Sequence, residues 1–318
     1  MEQSLFTYCP LVTIIIPVYN GEAFLGKAID SALAQTYPNK EILVISDGST
    51  DQSDEIAKSY GEKIRFIRKD NGGVSSVLNR AIAEMRGEWL SWLSHDDTYD
   101  PEKLSAQVGV LNTILRERGA EEIDRVVVCC ANDRIDANDK TVRRKVKYGK
   151  NVGSPKQMLI SQIGRYTIGG CCVLASRKAY SAEGGFNEAN RTCSDAEMWY
   201  RLMLDGYEFV FHRQVLVHSR QHGGMVSVQK RELCKTEGTK LHEQIFDLAL
   251  ERGLTEFERY RFLCALSARG YGPVARKKVG ECRLSFSHRV TFRVKYVASR
   301  IKNAMKDFVR KVYRLIKY

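Results

Sequence analysis

Two apolar patterns alternate along residues 12–119. Short continuous runs read as buried strands; stretches with apolar residues every three or four positions read as amphipathic helices. Val12–Pro17 is the first run, and Glu22–Ala34 follows with Phe24, Leu25, Ala28, Ile29, Ala32 and Leu33 on one face. Glu41–Ser46 predicts a second strand, and Ser49 or Thr50 suits the cap of a helix running to Gly61. Ile64–Ile67 predicts a third strand. Ser75–Arg86 predicts a helix with Val77, Leu78, Ala81, Ile82 and Met85 on one side and Gly87 past its end. Glu88–Leu93 predicts a fourth strand, and Asp100–Pro101 opens a helix that ends near Gly119. Repeated strand–helix units predict an α/β fold with a doubly wound, mostly parallel sheet.

Beyond Arg125 the pattern changes. Val126–Ile135 predicts a strand, Asp136–Lys140 a turn and Thr141–Tyr148 a return strand. Pro155–Ile163 predicts a helix and Gly170–Ala175 a strand. Ser194–Leu204 predicts a helix in which Ser194 and Glu197 have capping-box spacing. Glu208–Val217 predicts a strand, and helical patterns cover roughly 228–252 and 255–269. In the tail, Val297, Ile301, Ala304, Met305, Phe308, Val312, Leu315 and Ile316 fall on one side of a helix. Lys302, Lys306, Arg310, Arg314 and Lys317 fall on the other.

Charge sharpens the picture of that tail. The net charge of the 318 residues is +12, and residues 276–318 hold 14 Lys/Arg against Glu281 and Asp307 alone. The first 275 residues are balanced, so the basic character says nothing about the ligand of the main domain. A basic amphipathic helix suits an anionic membrane surface, with residues 283–318 as the anchor. A helix docked on the protein is the plainer alternative. No basic stripe outside the tail points to nucleic acid, and none is expected as a partner.

Hydrophobic residues at 43% and charged residues at 28% are ordinary for a globular chain and argue against disorder, a fibre or a polytopic membrane protein. No apolar run approaches the ~20 residues of a spanning helix. The opening MEQSLFTYCPLV has no basic stretch before an apolar core, so no secretory signal is expected. Nine cysteines without CxxC spacing read as reduced thiols, the adjacent pairs Cys129–Cys130 and Cys171–Cys172 as small apolar core residues. A cytoplasmic location follows as the expectation.

In open α/β sheets, ligands bind beyond the carboxyl ends of strands near a switch in strand order. Asp47 follows one predicted strand, and Ser94-His95-Asp96-Asp97 follows another. Neither GxGxxG after the first strand nor GxxxxGK[ST] is present, which removes support for a Rossmann dinucleotide site or a P-loop. A nucleotide held through a carboxylate and a hard divalent cation stays open. Each acid also has a structural explanation. Asp47 suits a strand–helix turn, Asp96 and Asp97 suit a loop, and Asp195 suits the first turn of a helix. Glu197 reads as a capping partner and His95 as a loop residue.

Seven stretches in order carry a resemblance: VTIIIPVYN (12–20), EILVISDGSTD (41–51), NGGVSSVLNRA (71–81), GEWLSWLSHDDTYDPEKL (87–104), GGFNE (184–188), SDAEMWYRL (194–202) and RQHGGMVS (220–227). Together they resemble family 2 glycosyltransferases, which implies the GT-A fold of nucleotide-diphospho-sugar transferases over residues 1–227. A helical segment (228–275) and the basic tail (276–318) would follow. The resemblance implies an inverting transfer of sugar from a nucleotide diphosphate sugar, expected to be a UDP-sugar, to a saccharide or lipid-linked acceptor. That acceptor suggests cell-surface polysaccharide precursors, and the basic tail would hold the enzyme peripherally on the inner membrane face, where a lipid-linked acceptor is presented. It implies Asp195 as catalytic base, and Pro17, Tyr19, Asn20, Asp47, Asn79, Asp96 and Arg220 at the nucleotide. It also implies Mn2+ or Mg2+ on Asp96 with Asp97, and Gly169, Gly170 and His222 on the acceptor side. Three positions depart from the family pattern. Ser94 replaces the first acid of DxD, Val77–Leu78 stand where many relatives have Ala–Arg, and Ser194 stands where Glu is common. The missing acid and the basic tail are the support for an alternative, a non-catalytic nucleotide-sugar or nucleic-acid binding protein on the same fold.

Overall fold

The computed structural model describes residues 8–143, 153–165 and 168–316. Nine strands form one sheet: β1 (Val12–Val18), β2 (Lys40–Asp47), β3 (Arg65–Lys69), β4 (Trp89–Trp92), β5 (Thr98–Tyr99), β6 (Val126–Ile135), β7 (Thr141–Arg143), β8 (Val173–Ser176) and β9 (Glu208–Arg220). Their order is β3-β2-β1-β4-β8-β6-β9-β5, with β7 paired to β6. The sheet is mostly parallel, as the repeated units predict: β3, β2, β1, β4, β6 and β9 run one way. β8 is inserted antiparallel between β4 and β6, and β5 runs antiparallel along β9.

Period-2 alternation splits the strand residues between two cores. Val12, Ile14, Ile16, Val44, Val128 and Leu174 point to one face; Ile15, Leu43, Ile45, Val127, Cys129 and Ala175 point to the other. The first face is covered by the helices Leu25–Leu33 and Lys103–Arg118, through Leu25, Ala28, Ile29, Leu104, Val108 and Leu111. The second is covered by Val74–Glu84, Pro155–Arg165, Ser194–Leu204 and the C-terminal helices. Helices on both faces make the sheet doubly wound.

Several boundaries differ from the sequence expectation. The helix expected from Ser49 or Thr50 begins at Ser53, and Asp51 Oδ1 accepts from the Ser53 N–H at 3.0 Å instead of a cap at its end. Gly170–Cys172 forms a tight turn before β8 rather than strand. β5 and the helix Arg177–Ala182 are too short to carry a periodic signature. The return strand predicted over Thr141–Tyr148 is seen as β7; positions 144–148 lie outside the described residues.

The tail forms one helix, Phe286–Ile316. Phe292 is buried in the second core with Leu284, and Ser299 Oγ lies 2.6 Å from Ser267 Oγ. The opposite side leaves Phe286, Val290, Val294, Val297, Ile301 and Met305 exposed, Phe286 at 84%. Docking and an apolar outer face therefore coexist on this helix. The side chains from 307 on, with Phe308, Val312, Leu315 and Ile316 of the predicted stripe, lie outside the description.

Candidate active site

Strand order reverses at β1, which lies between β2 and β4, so the switch point falls where β1 and β4 diverge. Ile15↔Trp92 is their last paired register position, and Pro17 lies beyond it. A proline without an N–H is tolerated there because no β4 partner asks for one. The loops after β1, β2 and β4 are laced to one another. Asn20, held at φ 51°, accepts the Thr50 N–H on Oδ1 at 2.8 Å and donates its own N–H to Ser49 Oγ at 3.1 Å. His95 Nδ1 lies 3.3 Å from the Pro17 carbonyl. Tyr19 projects from this rim, 48% exposed.

Asp47 ends β2, buried. Its Oδ1 accepts from the Gly72 N–H (2.9 Å) and Lys69 Nζ (2.7 Å), and its Oδ2 accepts from the Gly73 N–H (2.7 Å). It thus builds the turn that starts the helix Val74–Glu84, where Gly73 at φ 86° adopts a conformation that disfavours side chains. Asn79, further along that helix, is spent on the protein itself. It donates to Phe186 O and Glu188 Oε1 and accepts the Phe186 N–H, so it clamps the GGFNE turn rather than offering an amide to a nucleotide.

The β4–β5 loop separates its two acids. Asp96 Oδ2 lies 3.0 Å from His222 Nε2. Because His222 Nδ1 accepts the Gly224 N–H at 3.2 Å, the ring proton sits on Nε2 and is donated to Asp96. Among the described residues none bonds Asp96 Oδ1, so that oxygen is open to a ligand. Asp97, expected beside it at a metal, turns into the protein. Its Oδ1 accepts the Arg220 N–H at 2.8 Å, and its Oδ2 lies 3.2 Å from Cys171 Sγ. Burial and repulsion from Asp96 push its carboxyl up to about 7. Among the described residues no three His, Cys, Asp or Glu side chains converge as a metal cluster. One carboxylate oxygen, oriented by an imidazole, still fits a hard cation that takes its other ligands from phosphate and water.

Arg220 was expected at the diphosphate. Its side chain is instead buried, with Nε donating to Asp96 O (2.8 Å), one amino group to Asp136 O (3.0 Å), and the other in a 2.6 Å ion pair with Asp139. Its plane lies over the Phe24 ring at 4.7 Å. The guanidinium therefore fixes the Asp96–Asp97 loop from behind.

Asp195 lies in the first turn of the helix Ser194–Leu204. Its Oδ1 accepts the Ala196 N–H at 2.8 Å. Burial raises its pKa, opposed by hydrogen bonds from backbone N–H groups that include Gly170. Gly169 and Gly170 lie beside it, and a Cβ on Gly170 would meet the Trp92 ring at 2.4 Å. Residue 170 must therefore be glycine for the turn to close on the end of β4. The capping box expected of Ser194 and Glu197 does not form. Ser194 Oγ bonds Ser75 Oγ (2.7 Å) in the buried contact between their helices, and Glu197 pairs with Arg201 at 2.9 Å.

These contacts link the segments that carry Asp47, Asp96–Asp97 and Asp195. Asp97 touches Cys171, which follows the Gly170 that lines Asp195. Asp47 holds Gly73, which opens the helix whose Ser75 bonds Ser194, next to Asp195. The sequence missed Arg191, whose guanidinium donates to Gly72 O at 2.7 Å, because no motif marks it.

Residues 13–183 match the family described as Glycosyl transferase family 2. An uncharacterized glycosyltransferase of Rickettsia typhi, RT0329, is 39% identical over 225 residues, 70% of this chain and 67% of that protein. The match spans 31% to 68% of the length of five such Rickettsia relatives. Among solved structures, the S. aureus TarS 1–349 complex with UDP superposes with a TM-score of 0.61 at 17% identity, covering 81% of this chain and 71% of that one. The mannosyltransferase PcManGT from Pyrobaculum calidifontis, in complex with GDP-Man and Mn2+, gives 0.52 at 18% identity, covering 94% and 88%. Both share the GT-A fold of this chain.

Proposed function

The chain belongs to glycosyl transferase family 2, and on that premise we propose that it transfers a sugar, with inversion, from a nucleoside diphosphate donor to an acceptor hydroxyl. The observation that carries the proposal is a chain of contacts near the sheet's switch point: Asp47 holds Gly73, whose helix bonds Ser194 beside Asp195, and Asp97, next to Asp96, touches Cys171 beside Gly170.

The base and ribose of the donor lie against the rim of Pro17, Tyr19 and Asn20 and the turn that Asp47 builds. UDP is the expected nucleotide, since TarS binds UDP, although PcManGT binds GDP-Man. Asp195 accepts the proton of the attacking hydroxyl. Its burial favours that step, because a carboxylate removed from water is a stronger base. Gly169 and Gly170 shape the acceptor side, and His222 orients Asp96. A Mn2+ or Mg2+ ion on Asp96 Oδ1 would supply Lewis-acid charge to the departing diphosphate. Arg220 and Asn79 act through the loops they hold.

The exposed face of the helix Phe286–Ile316 supports a peripheral position on an anionic membrane, where a lipid-linked acceptor is presented. Cell-surface polysaccharide synthesis is the setting that fits such an acceptor.

The test is release of nucleoside diphosphate from a panel of nucleotide sugars. Wild type should turn over at least one donor, Asp96→Ala and Asp195→Asn should lose transfer, and EDTA should suppress it. Wild-type protein that binds nucleotide sugars but never cleaves them would leave the non-catalytic alternative standing.

A further inference from the structure

One carboxylate outside the proposed site gathers several donors. Glu237, on the helix Arg231–Glu251, accepts the Arg191 N–H at 3.1 Å on each oxygen, the Thr192 N–H at 2.8 Å and the Thr192 hydroxyl at 2.6 Å. Residues 191–193 lead directly into the helix that bears Asp195. Arg191 then reaches over to Gly72 O at 2.7 Å, and the Gly72 and Gly73 N–H groups grip Asp47 alongside Lys69. A carboxylate that gathers several N–H and O–H donors fixes a loop more firmly than neutral partners do.

We infer that Glu237 is a positioning residue for transfer, holding the base-bearing helix and the nucleotide turn in one fixed relation through Thr192 and Arg191. The inference rests on the donor and base roles proposed above. It gives the helices after residue 227 a part in catalysis that the residues of the proposed site alone do not require. Arg191 and Thr192 divide the work: Thr192 holds the approach to Asp195, and Arg191 carries the restraint to the turn at Asp47.

The experiment uses the full-length protein with Glu237→Ala, Glu237→Gln and Arg191→Ala. Rates are normalised to the folded fraction. Glu237→Ala should lower kcat roughly tenfold to hundredfold, as expected for a misplaced catalytic group, and should also raise the donor KM. Glu237→Gln, which keeps one acceptor oxygen, should recover part of both. Arg191→Ala should raise donor KM with kcat nearly kept. Amide exchange at Gly72 and Gly73 should quicken in Glu237→Ala and in Arg191→Ala, and this readout needs no turnover. A wild type without transferase activity would refute the parent reading, and exchange would still decide whether the clamp exists. Unchanged exchange at Gly72 and Gly73, or wild-type kcat and KM in Glu237→Ala, would overturn the inference. If Glu237→Ala does not fold, the same criteria are applied to Glu237→Gln and Arg191→Ala.

Discussion

Asp195 occupies the first turn of its helix, where the dipole stabilises any acid, yet burial raises its pKa. Its ordinary value is about 3.9. A raised value means that the carboxylate is the form present above that value and is lost as pH falls through it. We therefore expect kcat to fall on the acid side, with the limb displaced upward from that of an ordinary aspartate. Removing the base in Asp195→Asn should cost roughly 10²–10⁴-fold in rate at neutral pH. A pH–rate profile on both proteins checks this, and a wild-type limb in Asp195→Asn would exclude the assignment. Gly170 makes a second point at this scale. Its missing Cβ is the space that Trp92 fills, so Gly170→Ala should destabilise by about 1–3 kcal/mol through overpacking. It should also lower transfer by displacing the N–H beside Asp195, measured by urea titration and initial rates.

At the scale of elements, helix ends show where local chemistry suffices and where it yields. Thr255 and Glu258 form a reciprocal capping box at the helix Glu256–Arg269, with Oγ1 and N–H partners all within one turn. Thr255→Ala should cost about 1 kcal/mol, with little effect on turnover per folded molecule. Denaturation midpoints and kcat measure the two independently. Ser194 and Glu197 have the same spacing, but Ser75 and Arg201 compete for them and win. A cap is a weak preference, worth about one hydrogen bond, and a buried partner on a neighbouring helix outcompetes it. The same competition engages Asn79 and Arg220 in holding loops of the protein.

Across the whole molecule, the tail helix joins an inner face to an outer one. Phe292 and Leu284 are part of the core, so truncation at residue 283 would expose apolar surface and confuse stability with binding. Charge placed on the outer face avoids this. Val294→Asp with Ile301→Asp should reduce sedimentation with anionic liposomes and leave donor cleavage in solution intact. Raised salt should weaken wild-type binding, because each Lys or Arg near such a surface contributes roughly 1 kcal/mol. Equal liposome binding by the double variant would remove the membrane from the proposal.

The strands β1, β2, β4 and β6 and their flanking helices were legible in the chain, because each buries a face with its own period and local pattern dictates which side is apolar. The Asp-bearing ends of those strands were legible for the same reason, and their motifs carried the family. What no periodicity encodes is pairing between distant segments. Only the folded structure inserted β8 against the direction of its neighbours, turned Asp97 toward Arg220 and Cys171, and set Asp96 against His222. It also spent Arg220 and Asn79 on loops and set Glu237 against Thr192. Such choices are made among polar groups far apart in sequence, each of which must find some buried partner, and three-dimensional proximity alone decides which one it finds.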